Sequence, residues 1–114
     1  EVDIGVGPIT ALKLSSKLQP KLVSKGQVLF QEKCSVCHKF DQKLIGPPLA
    51  NVTQRRSPEW IMNMILNPER MIRENPTAMA LLKDFDNVEM ENQNLSKSEA
   101  RSVLEYLRHV DSKL

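Results

Sequence analysis

The sequence predicts an all-α fold, and three features of the chain point to it. After Ser96, the apolar residues Ala100, Val103, Leu104, Leu107 and Val110 recur at helical spacing. Three proline-led starts, Ser57-Pro58, Asn67-Pro68 and Asn75-Pro76, each set a good N-capping residue before a proline whose fixed φ suits the first helical turn. Alternating apolar and polar residues, the mark of a half-buried strand, occur only briefly around Thr10–Leu14.

Residues 1–20 form an arm punctuated by Gly5, Gly7, Pro8 and Pro20. It reads as a tether, as an edge packed on the core, or as a linker from another domain. Residues 21–114 make one domain, because a chain of 114 residues has little room for a second core. The first helix is expected from Pro20 or Lys21 to the cysteines, with Leu22, Val23, Leu29 and Phe30 on its inner side. Gly26 interrupts that side. A helical glycine costs up to ~1 kcal/mol relative to alanine, so a close crossing with a second helix is expected there. The three proline-led helices follow. The last helix opens with Ser96 and Glu99 in capping-box spacing, and Tyr106 lies beside its apolar stripe.

Between the first two of these regions stands Cys34-Ser35-Val36-Cys37-His38, which contains the only cysteines of the chain. This is the C-x-x-C-H attachment pattern of a c-type haem. Each thiol can form a thioether with a haem vinyl group, and the adjacent histidine can ligate the iron. A redox dithiol or half of a zinc site shares the C-x-x-C spacing, but neither has a use for the neighbouring histidine. Zinc would also need two further ligands, and the other histidine, His109, stands alone. Aromatic residues are few, with three Phe, one Trp and one Tyr. A haem would supply the missing bulk at the centre, so the fold is expected to depend on it.

The net charge of +2 and pI near 8.7 are too mild to argue for nucleic acid as a partner. Residues 1–60 hold nine Lys or Arg against five Asp or Glu, and residues 61–114 seven against nine. Lys33, Lys39 and Lys43 thus lie around the haem motif while Asp84, Asp86, Glu89 and Glu91 gather later, which reads as an orienting charge dipole. No apolar run approaches the ~20 residues of a membrane span, and no signal peptide is present. Haem is attached to cysteines outside the bacterial cytoplasm, so an exported, periplasmic protein in mature or trimmed form is expected.

Five methionines compete for the iron's sixth position. Met62, Met64, Met71 and Met79 sit within helical patterns and read as core filler. Met90 lies in a polar stretch ahead of the last helix, with no packing stripe to join, and is the expected axial ligand. Met79, His109 or an open position are the alternatives. After His38, Gly46-Pro47-Pro48 offers a rigid carbonyl for the imidazole Nδ1 proton. Arg55, Arg56 and Trp60 are candidate donors to the haem propionates.

Over residues 20–112 the chain resembles the class I cytochrome c family. The resemblance is carried by Gly26, Phe30 and Cys34 spaced by fours, by C-S-V-C-H, by Gly46-Pro47, and by Met90 ahead of a C-terminal helix holding Tyr106. It implies an N- and a C-terminal helix crossing at Gly26 with Phe30 and Tyr106, and short helices wrapped around one covalently attached haem. It also implies His38 and Met90 as axial ligands and the Pro47 carbonyl as acceptor of the His38 proton. The stretch from Arg55 through Asn75, and Met90-Glu-Asn-Gln-Asn-Leu, look like a bacterial subgroup linked to respiratory and denitrification enzymes. Met79 departs from that subgroup, where a polar residue is expected.

The implied function is single-electron transfer, not catalysis, by a monomer without a membrane span. Its partners would be a terminal oxidase, a nitrous oxide or nitrite reductase, or a quinol-oxidising complex. Alternatives are an electron-entry module of a larger reductase, or a gas sensor or enzyme with an open iron.

Overall fold

The computed structural model describes residues 1–114 and contains helices only. In chain order these are α1 (Pro20–Leu29), α2 (Val52–Arg55), α3 (Pro58–Leu66), α4 (Pro68–Glu74), α5 (Pro76–Asp84) and α6 (Lys97–Ser112). The all-α expectation and the proline-led starts hold. Ser57 accepts from Trp60 N and Asn75 from Ala78 N, whereas the Asn67 side chain makes no cap. The Ser96–Glu99 capping box forms with both reciprocal hydrogen bonds, 3.1 and 2.9 Å long.

α1 and α6 cross at the glycine singled out above. A Cβ on Gly26 would overlap the Ser102 carbonyl and come within 2.9 Å of Tyr106 Cβ. Beside the crossing, Phe30 stacks on Phe40 with centroids 5.1 Å apart and leans on Tyr106 at 5.5 Å. Phe40, in the loop after His38, thereby ties the haem-motif side of the chain to the crossing. The core proper is apolar: Trp60, Ile61, Met62 and Ile65 of α3, Met71 and Ile72 of α4, and Val103, Leu104 and Leu107 of α6.

Two features differ from the sequence reading. α1 does not run as a plain α-helix to the cysteines. Its last turn, Phe30–Cys34, is π-helical, closed by Ser35 N donating to Phe30 O at 2.9 Å. Such widened turns recur at functional sites, and composition gives no signal for them. The four-residue α2 was not anticipated because it is too short to show periodicity. It is held from outside: the buried Asp111 carboxylate on α6 accepts from Asn51 N, Thr53 N and Thr53 Oγ1.

The arm forms no strand, since nothing lies beside it to pair with. Its backbone groups are satisfied by side chains instead. Fully buried Asn63 accepts from Ile9 N at 3.0 Å and donates to the Ile4 and Ile9 carbonyls, both at 2.9 Å. Leu12 N donates to Glu59, and Gln19 N to the buried Glu105. Gly5 and Gly7 have positive φ, and a Cβ on either would collide with Met71 Sδ or Asn63 Oδ1. The arm is thus an edge packed on the helices.

Candidate haem site

The π-helical turn delivers Cys34 to a tight backbone reversal. Cys37 N and His38 N both donate to the Cys34 carbonyl, at 3.1 and 3.0 Å, and fold the pentapeptide back on itself. Both thiols are unpaired and half-buried. Burial, and then the neighbouring Cys37, push the Cys34 thiol up to about 11, so it is protonated at neutral pH.

His38 is held on one side only. Its Nδ1 lies 2.9 Å from the Pro47 carbonyl, which can only accept, so Nδ1 carries the proton and Nε2 keeps its lone pair. Gly46 N donates to Cys37 O at 2.7 Å, bringing the loop against the ring. A Cβ on Gly46 would stand 2.6 Å from His38 Cε1, so only glycine permits this approach. Burial lowers the basicity of the imidazole; the Pro47 hydrogen bond opposes but does not cancel this, and the ring is neutral at neutral pH. A neutral imidazole with fixed Nδ1–H and a free Nε2 is the form that binds iron.

Met90 is half-buried in the segment between α5 and α6, which lacks regular structure and has positive φ at Asp86, Asn87 and Asn94. Met62 and Met71 are core residues as expected, and Met64 is half-buried. Met79 is not the packing residue the pattern suggested. It is 39% exposed, because Ala78 next to it is the residue α5 turns inward.

The three proposed propionate donors separate. Arg55 donates to the Pro48 carbonyl at 3.1 Å and to the Ala50 carbonyl, bracing the loop after Pro47. Arg56 lies over the Trp60 ring, 5.4 Å from its centroid. Trp60 is a correction: it is a core residue, 5% exposed, and its single donor, Nε1, is used by Asn75 Oδ1 at 3.1 Å. The signal for this was Asn75 itself, a capping residue whose side chain has donors and acceptors to spare. Of the basic residues around the motif, Lys43 sets its Nζ 5.0 Å from the ring centroid of Phe85, just after α5.

No group of three or more His, Cys, Asp or Glu side chains is placed to hold a metal ion, which leaves the C-x-x-C pair without partners for zinc. The donor set fits haem: two free thiols in one turn and, directly after them, an imidazole with its iron-binding nitrogen free.

The comparisons with known proteins agree. The cytochrome c family model matches residues 23–111, and the chain belongs to that family as a class I monohaem c-type cytochrome. The fold is similar to that of a cytochrome c from Rhodothermus marinus, with a TM-score of 0.91 and 38% identity over 95% of this chain and 92% of that one. An engineered cytochrome c from the same organism, bound to a carbene intermediate, has a TM-score of 0.86 and 40% identity, covering 93% of this chain and 91% of that one. Cytochrome c-551 of Stutzerimonas stutzeri is 37% identical over 51 residues, 44% of this chain and 49% of that protein, so the match spans about half its length. As in this family, one haem c is covalently attached. No helix is long and apolar enough to cross a membrane.

Proposed function

We propose that this chain carries single electrons between redox proteins of a periplasmic respiratory chain, as a monomer and not as an enzyme. The observation that supports this most is the His38–Pro47 pair beside two free thiols, an iron-binding site with one ligand already oriented. When bound, the haem supplies an iron that exchanges one electron between its ferrous and ferric states. Cys34 and Cys37 anchor it through thioethers. His38 binds through Nε2 while Pro47 fixes its ring plane and raises its donor strength.

Met90 would supply a thioether as the second protein ligand of the iron. Soft sulfur favours the ferrous ion, so a His38/Met90 pair raises the reduction potential relative to two histidines. Two protein ligands and two covalent anchors would leave little to reorganise when the charge changes, which favours rapid transfer. Arg55, at the end of α2, and Arg56 beside it would be the donors to the propionates. No acid, base or nucleophile is required.

Lys33, Lys39 and Lys43 favour brief docking with an acidic partner, for which a terminal oxidase, a nitrite or nitrous oxide reductase, or a quinol-oxidising complex are candidates. Met90→Ala in the haem-loaded protein tests the site. Loss of the sulfur-to-iron charge-transfer band, a lower potential and new binding of carbon monoxide by the ferrous form are expected. Persistence of the band would hand the role to Met79.

A further inference from the structure

We propose that Asp3, near the start of the arm, is a positioning residue for the distal ligand, acting through Asn75 and α5. Asn75 is 5% exposed, and both polar atoms of its side chain are hydrogen-bonded. Its Oδ1 accepts from Trp60 Nε1 at 3.1 Å and from Ala78 N at 3.0 Å, the latter capping α5. Its Nδ2 donates to both oxygens of Asp3, at 3.0 and 3.1 Å. Asp3 holds a second helix start as well: its carbonyl accepts from Ser57 Oγ at 2.8 Å, the hydroxyl that caps α3. One residue of the arm therefore clamps the caps of α3 and α5 together. The arm is kept there by Gly5, which lies too close to Met71 for any side chain, and by Val6 N donating to Met71 Sδ at 3.2 Å.

The clamp matters for α5 more than for α3. α3 buries five side chains of its own, whereas α5 buries only Ala78. Beyond Ala78 it packs only the half-buried Leu81 and Leu82 on the core, so its capped N-terminal end carries a large share of what locates it. Its C-terminal end passes through Phe85 and the left-handed Asp86 and Asn87 into Met90. Loosening the cap frees one of the two ordered elements, α5 and α6, between which the Met90 segment runs. Asp3 does not touch the haem site; it sets how firmly the distal sulfur is held.

The inference rests on Met90 being the distal ligand. The test uses haem-loaded protein in the ferric state and titrates imidazole against the sulfur-to-iron charge-transfer band. Asp3→Ala is expected to lower the imidazole concentration for half-displacement about fivefold, the scale of one lost hydrogen bond behind the cap. Asp3→Glu, which keeps a carboxylate, should recover part of that shift. Glu59→Ala removes the acceptor of Leu12 N, loosening the arm elsewhere, and controls for general loosening. An unchanged midpoint in Asp3→Ala, or an equal shift in Glu59→Ala, would overturn the proposal. If instead the band survives Met90→Ala, the ligand assignment fails, an outcome distinct from a failure of the clamp.

Discussion

Gly26 of α1 lies directly against the Ser102 carbonyl of α6, with no room for a methyl group between the two backbones. Ser102 is buried and its Oγ back-bonds to Ser98 O at 3.1 Å, so this turn of α6 has little freedom to retreat. Alanine at position 26 would gain up to ~1 kcal/mol of helix propensity yet force the two helices apart. Overpacking at a rigid backbone contact outweighs that gain. Gly26→Ala is expected to destabilise the haem-loaded protein by about 2 kcal/mol, read as a lower denaturant midpoint. A variant as stable as the parent would mean that the crossing relaxes without cost.

Gly46→Ala acts on the iron ligand itself. The added methyl would meet His38 Cε1 and Nδ1, so the ring must turn or the loop must lift, and either breaks the Nδ1–Pro47 hydrogen bond. Loss of that bond weakens the imidazole as a donor. The expected result is a poorer yield of haem-loaded protein and a changed reduction potential in what matures. Gly26→Ala, at the helix crossing, should leave the potential nearly unchanged.

Much of this architecture was legible in the chain, and the reasons are local. Proline at a first helical position, a Ser-x-x-Glu box and a glycine in an apolar helix face each have one economical structural explanation, and each took it. C-x-x-C-H is equally restrictive, because few chemistries need two thiols and an imidazole in five residues. What stayed hidden depends on distant partners. Trp60 looked like a propionate donor until Asn75, fifteen residues on, accepted its hydrogen bond. Asn63, Glu105 and Asp111 are polar residues buried in the interior, and their purpose appears only when the arm and α2 are in place.

Glu105 carries a pH dependence. It is fully buried on α6; its Oε1 is 2.9 Å from Nη1 of both Arg101 and Arg108, and its Oε2 accepts from Gln19 N at 2.8 Å. Burial alone would raise its pKa. The Gln19 amide and the two guanidiniums outweigh that and hold the carboxyl below its ordinary value. A pKa depressed in the folded state gives stability that is present above the unfolded value, near 4.5, and is lost as pH falls through the lower folded value. Glu105→Gln places an amide donor among these donors and leaves buried groups unpaired. It should cost about 3 kcal/mol at neutral pH and flatten the acid limb of a stability-against-pH curve. An acid limb identical to the parent's would show that other carboxylates control it.

Haem removal tests the link between composition and fold. α1 ends in the π-helical turn that carries Cys34, and α5 buries a single side chain of its own. With five aromatic residues in 114, the protein has few large groups to replace a macrocycle at its centre. Three proline-led helices of seven to nine residues are also too short to persist alone, since isolated helices below about 12–15 residues are marginal in water. The chain produced without haem, or with Cys34 and Cys37 both changed to alanine so that the cofactor can be extracted, should lose most of its helical circular dichroism. α6, the longest helix and the one with a complete capping box, is expected to retain the most residual structure, readable as the slowest amide exchange. A haem-free chain with full helical signal and a cooperative melt would show that the polypeptide packs its core unaided.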